Sequence, residues 1–99
     1  MIVHVSLYKL HDPARAAEME ALLRRAAEEE PSIRTSWVGR NVGAPPPMEE
    51  GPAFGDVGQV ITFDTPEEAA AYPAGEGHRR LVEASGGLVA QAWVIDFPV

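Results

Sequence analysis

The sequence predicts an α+β fold of order β-α-β-β-α-β, a four-stranded antiparallel sheet with its helices on one face. Three observations lead there. Four segments alternate branched and aromatic residues with the period of two that strands require. Two others open with helix-start signals, Asp12-Pro13 and Thr65-Pro66-Glu67-Glu68. Between the second and third strands runs a single irregular stretch, Gly43 to Asp56, holding four prolines and three glycines.

The first strand, Ile2 to Leu10, sends Val3, Val5 and Leu7 one way and Ile2, His4, Ser6, Tyr8 and Leu10 the other. Asp12 is suited to cap the orphan amides of the next helix, and Pro13 fits a first helical position that needs no amide. From Pro13 to Glu29 the stripe Ala16, Met19, Leu22, Leu23 and Ala26 forms the buried face, with Glu18, Glu20, Arg24, Arg25 and Glu28 largely outside it. Pro31 closes that helix. A second strand runs from Ile33 to Val42, with Ile33, Thr35 and Trp37 alternating against Arg34, Ser36 and Arg40. Gly43 to Asp56 reads as a surface loop within one domain.

The third strand, Val57 to Phe63, leads into the Thr65–Glu68 capping box, whose helix runs to about Tyr72 because Pro73 cannot continue it. A short helix from about His78 to Ala84 is closed by Gly86-Gly87, and Ala90 to Val99 is the last strand, with Trp93, Ile95 and Phe97 alternating against Val94 and Asp96. This order is the split βαβ of ferredoxin-like folds. It spans residues 1–99 as one domain.

Composition narrows the function. A chain of 99 residues that is 45% apolar and 23% charged has the balance of a globular domain with one modest core. A net charge of −7 repels phosphate backbones and anionic lipid surfaces, so neither nucleic acid nor a membrane is an expected partner. No apolar run reaches the roughly 20 residues of a membrane span. The absence of cysteine excludes disulfides, thiolate metal sites and cysteine nucleophiles. The expected product is a small, acidic, cytoplasmic protein. Seven of its eight basic residues are arginine, which reads as a coding bias.

In the predicted topology one sheet face carries the helices and the other is bare. Both sets of alternating residues in the first and last strands are largely apolar, so the expected arrangement is a homodimer packed through the open sheet faces into a barrel. Trp37 and Trp93 read as core or interface anchors.

Few residues carry chemistry. His4, His11 and His78 share no metal-ligand spacing, so no metal is expected. The acidic pairs Glu49-Glu50 and Glu67-Glu68 read as solvated. His78 opens a short helix, where a neutral imidazole suits a general base, but packing or surface capping is the favoured reading of the residue itself. It follows Tyr72 by six residues, and the break from Pro73 to Gly77 leaves open whether the two converge. His4 and Tyr8 share a face of the first strand and could line a cavity between sheet and helices, as could Trp37.

Several segments resemble the stress-responsive A/B-barrel (Dabb) family: Ile2 to Leu10 its opening strand, Val38-Gly39-Arg40-Asn41-Val42 its second strand, and Val94-Ile95-Asp96-Phe97 its closing strand. Phe63-Asp64, Ala71-Tyr72, and His78 followed by Leu81-Val82 match its second helical region. The resemblance covers almost the whole chain and implies a dimeric α+β barrel without a cofactor. Most bacterial members have no established activity, so it implies first a barrel that binds a small apolar or carbonyl-containing ligand. The family also includes a plant polyketide cyclase, which implies an alternative in which His78 is the base and Tyr72 hydrogen-bonds the substrate. A cofactor-free monooxygenase, known on a similar barrel, is a further alternative. The family often reads His-Pro-x-His where this chain has Gly75-Glu76-Gly77-His78, and its loop from Gly43 to Asp56 is longer or more decorated than usual.

Overall fold

The computed structural model describes residues 1–43 and 55–99. Most of the predicted loop, with Glu49-Glu50, lies outside the described residues. The elements are β1 (Ile2–Leu10), α1 (Ala16–Glu28), β2 (Ile33–Arg40), β3 (Val57–Phe63), α2 (Pro66–Ala71), α3 (Glu76–Ser85) and β4 (Val89–Pro98). Short 3-10 turns at Pro13–Arg15 and Tyr72–Ala74 precede α1 and follow α2. The sheet has the order β2-β3-β1-β4 and every neighbouring pair is antiparallel. This is the ferredoxin-like arrangement that the alternation predicts.

Register sorts the strand residues into two faces. On the open face three rows cross the sheet: Thr35, Thr62, Val3 and Phe97; then Trp37, Val60, Val5 and Ile95; then Gly39, Gly58, Leu7 and Trp93. On the helix side, Ile61 and Asp96 flank His4, Gln59 and Val94 flank Ser6, and Val57 and Ala92 flank Tyr8. A closed α/β core would carry aliphatic residues along its middle strand. Here the middle of β1 is polar, and the core divides around it. One cluster gathers Met19, Leu23 and Ala26 of α1 with Leu10, Val57, Leu81 and Leu88, and the other joins Ile2, Ile61, Phe63 and Tyr72.

Three expectations change. Arg34 is an extra residue in β2, a bulge between Ile33 and Thr35. It puts Ile33 on the helix side against the Phe63 cluster, while Thr35 and Trp37 face the opposite way. Glu20, expected on the polar face of α1, is only 8% exposed. Arg40 from β2 donates to it at 2.6 Å and Arg24 at 3.2 Å, so the carboxylate is buried with its charge matched and is held below the usual carboxylate range. The last helix begins at Glu76, which puts Gly77 inside it.

The capping signals take their expected roles. Asp12 accepts from Ala14 N at 3.0 Å, and Thr65 Oγ1 accepts from Glu68 N at 3.1 Å. Thr65→Ala is expected to lower stability by about 1 kcal/mol through loss of that cap, read as a lower melting temperature. A variant that melts with the parent contradicts it.

Candidate functional site

Tyr72 is where the local rules break. α2 cannot pass Pro73, which has no amide to donate, so the chain makes one 3-10 turn and restarts at the N-cap Gly75. α3 then packs tightly on the end of α1. A Cβ on Gly77 would stand 3.2 Å from the Ala26 carbonyl oxygen and 3.3 Å from Glu29 Cβ, so the close approach favours a glycine. These two devices turn His78 back toward Tyr72 and bring their ring centroids to 5.0 Å, edge to face. Gly77→Val is expected to push α3 off α1, lower stability by roughly 1–3 kcal/mol and shift the His78 imidazole resonances. Unchanged melting and unchanged histidine signals would contradict that reading of the packing.

Tyr72 is the centre of an aromatic group. Its ring lies 5.8 Å from His4, edge to face, and 5.5 Å from Phe63. The residue is 3% exposed, and its hydroxyl is buried without a hydrogen-bond partner in the protein. Burial, with smaller effects from Tyr8 and Glu30, pushes this phenol up to about 12, so it stays protonated and able to donate. His78 moves the other way. Burial first, and then the neighbouring His4, lower its pKa, against a hydrogen bond to the Pro73 carbonyl. A neutral imidazole carries one N–H and one nitrogen lone pair, and the lone pair is what a base requires.

His4 has a partner 92 positions away. Its Nδ1 and Asp96 Oδ1 are 2.6 Å apart, across the β1–β4 pair. The carboxylate fixes the imidazole orientation and leaves Nε2 unpaired by this contact.

These side chains surround a cavity of about 220 Å³ between the sheet and the helices. Its polar lining is His4, Tyr8, Gln59, Tyr72, His78 and Asp96, completed by Ala69, Pro73 and Val94. No lysine or arginine is in the lining. The volume falls below the roughly 300–1,000 Å³ of drug-sized ligand sites, so it suits a small molecule. A groove between α2 and β4, sharing Ala69 and Asp96 with the cavity, opens beside it.

The structure thus brings together four of the five residues singled out from sequence: His4, Tyr8, Tyr72 and His78. Trp37 is the exception and is corrected. It is 62% exposed on the open face, level with Val60, with the sheet between it and the cavity. Asp96 and Gln59 are additions. Asp96 had a signal, as the one charged residue of the closing strand. Among the described residues no three His, Cys, Asp or Glu side chains are grouped to hold a metal ion, and no helix is long and apolar enough to cross a membrane.

Comparison with curated proteins returns no match. Solved structures are similar over nearly the whole chain. A dimeric ferredoxin-like protein of unknown function from Thermobifida fusca is 18% identical, with a TM-score of 0.77 over 99% of this chain and 90% of that one. A candidate antibiotic biosynthesis monooxygenase from Nitrosomonas europaea is 12% identical, with a TM-score of 0.75 over 100% and 98% of the two chains. A Dabb family protein from Mesorhizobium loti is 16% identical, with a TM-score of 0.71 over 99% and 95%. Likeness at these identities establishes the fold. The family model for the stress-responsive A/B-barrel domain matches residues 2–99, and the chain belongs to that family.

Proposed function

We propose that this protein is a homodimer whose protomers each bind a small, uncharged carbonyl compound in the cavity beside Tyr72, with His78 acting as base. One observation carries the reading: a neutral imidazole and an unpartnered buried phenol share one small cavity. A buried hydroxyl left without a partner costs about 1–3 kcal/mol, a cost that a ligand oxygen would remove. A carboxylate or phosphate ligand is disfavoured, because Asp96 lies in the lining and no cation does.

In this reading the Tyr72 O–H donates to the ligand carbonyl and the free His78 nitrogen takes a proton from the adjacent carbon. The C–H electron pair becomes the C=C bond of an enolate, and the carbonyl π pair moves to oxygen. Return of the proton, or attack of the enolate carbon on a second carbonyl of the same molecule, completes exchange or ring closure. The Asp96–His4 pair walls the same space and orients His4 toward it.

Hydrogen–deuterium exchange at the α-carbon of small ketones in D₂O, followed by NMR, tests the proposal. Exchange above the buffer rate that His78→Ala abolishes supports it, and a parent protein no faster than buffer contradicts it. Oxygen uptake with a quinol-like compound would instead favour the monooxygenase alternative. The homodimer is supported by the bare apolar face and by the dimeric Thermobifida fusca neighbour. Cytoplasmic residence is consistent with the lack of cysteine and is tested by cell fractionation.

Two of the shifted groups, His78 and Tyr72, set the expected pH dependence of the site. Protonating His78 removes the base, so the acid limb of the rate is expected below pH 6.5, the ordinary histidine value from which it is lowered. Stability follows the same sign: below 6.5 the unfolded chain takes a proton that the folded chain refuses, so stability falls as pH falls. Tyr72 closes the other side. Its folded pKa of about 12 exceeds the ordinary 10, so stability falls as pH rises above 10. Thermal melts across pH check both limbs, and a His78→Ala protein that keeps the full acid limb removes His78 as its source.

A further inference from the structure

The polar line along the middle of β1 is not used up by the base and its donor. We infer that Tyr8 is a second hydrogen-bond donor of this site, joining Tyr72 to hold the ligand's carbonyl oxygen as it becomes an enolate. The inference rests on the cavity reading above and deepens it, by defining which ligand atom the inner wall receives.

Tyr8 and Tyr72 come from different layers, β1 and the turn after α2, and both line the cavity. Two β1 positions away, Ser6 is wholly buried on the same face of the strand as Tyr8. On β3, Gln59 lies opposite Ser6 and is also buried, its amide nitrogen donating to the Leu23 carbonyl at 3.3 Å. Buried polar groups are normally paired within the protein, and two phenols bordering one cavity, the Tyr72 hydroxyl without a partner, have the form of a binding wall. Both phenols are held protonated by burial, Tyr8 above its ordinary value and Tyr72 at about 12. Each therefore offers an O–H and no charge. Two neutral donors in a site without cations leave a ground-state carbonyl only modestly bound, and bind it more strongly as negative charge moves onto oxygen.

Electrons and protons balance in that step. The α-proton goes to His78, the C–H pair forms the C=C bond, and the carbonyl π pair becomes a lone pair on the oxygen held by Tyr8 and Tyr72. No oxidant or reductant is consumed.

The test uses 4-nitrophenol, whose phenolate oxygen on an sp² carbon has the charge and shape of an enolate oxygen. Its visible absorption distinguishes the ionised form. In the intact protein, at a pH where the free compound is ionised, Tyr8→Phe and Tyr72→Phe are each expected to weaken phenolate binding by at least about tenfold, the usual effect of losing a hydrogen bond to a charged group. Binding of 4-nitroanisole, which carries no charge, is expected to change less than threefold. Loss of α-proton exchange in His78→Ala is read independently of phenolate binding in Tyr8→Phe, so the two readings fail separately. Tyr8→Phe with parental phenolate affinity overturns the inference, as does a parent protein with no preference for the phenolate over 4-nitroanisole. Because Tyr8→Phe removes a single oxygen, a melting curve suffices to show that the variant is folded.

Discussion

Replacing His78 by alanine is expected to lower α-proton exchange by at least about 100-fold while leaving the protein folded, since positioned general bases contribute roughly 10²–10⁴. The fold should tolerate the change. His78 lies on the first turn of α3, and neither buried core cluster includes it. Its contacts are with the cavity group and the Pro73 carbonyl. Tyr72→Phe is expected to cost about as much in rate as other single oxyanion donors, roughly 10²-fold, and to relieve an unpaired buried hydroxyl. Opposite signs on rate and stability in one variant are hard to produce by a packing defect. The pair is read by NMR exchange rates beside thermal melts; a His78→Ala protein as fast as its parent removes the residue from the mechanism.

Val5→Glu is expected to turn the proposed dimer into a folded monomer. Val5 is at the middle of the open face, in the row Trp37, Val60, Val5 and Ile95, with Leu7 and Val3 two positions to either side on β1. Exposed on this face are Trp37 at 62%, Ile95 at 59% and Leu7 at 46%. Apolar patches of this kind on a monomer generally mark an interface. A two-fold partner would bring this centre close to its own copy, so two like charges would meet in a space closed to water. Several kcal/mol of repulsion and desolvation correspond to a loss of about 100-fold or more in affinity. The cavity lies on the other side of the sheet, so ligand binding in the monomer reports how far the site depends on assembly. Light scattering at micromolar concentration reads the outcome. A variant that remains dimeric sets the interface elsewhere.

Much of the fold was legible because it is local. The alternation in Ile2 to Leu10 assigns every β1 residue to the face it takes, and Thr65 with Glu68 marks the start of α2. The exceptions are non-local. The bulge at Arg34, which reverses Ile33, arises where β2 meets β3. Glu20 is buried because Arg40, 20 residues on, reaches it from another layer. Gly77 is inside α3 and packs where a Cβ would crowd the end of α1, a contact between two helices far apart in sequence. The site divides in the same way. His4, Tyr8, Tyr72 and His78 were each visible as residues able to do chemistry, while their convergence depended on a turn at Pro73 that spacing alone leaves undetermined. Asp96 pairs with His4 across 92 positions, and only the β1–β4 register brings them together.

In the proposed assembly each chain is half of a barrel and carries one small cavity of its own. Native mass spectrometry of the freshly purified protein, alone and after addition of 4-nitrophenol, tests it most directly. The account predicts a species of twice the 10.7 kDa chain that takes up one molecule of the phenol per protomer. A 10.7 kDa species, or a dimer that takes up none, would contradict it.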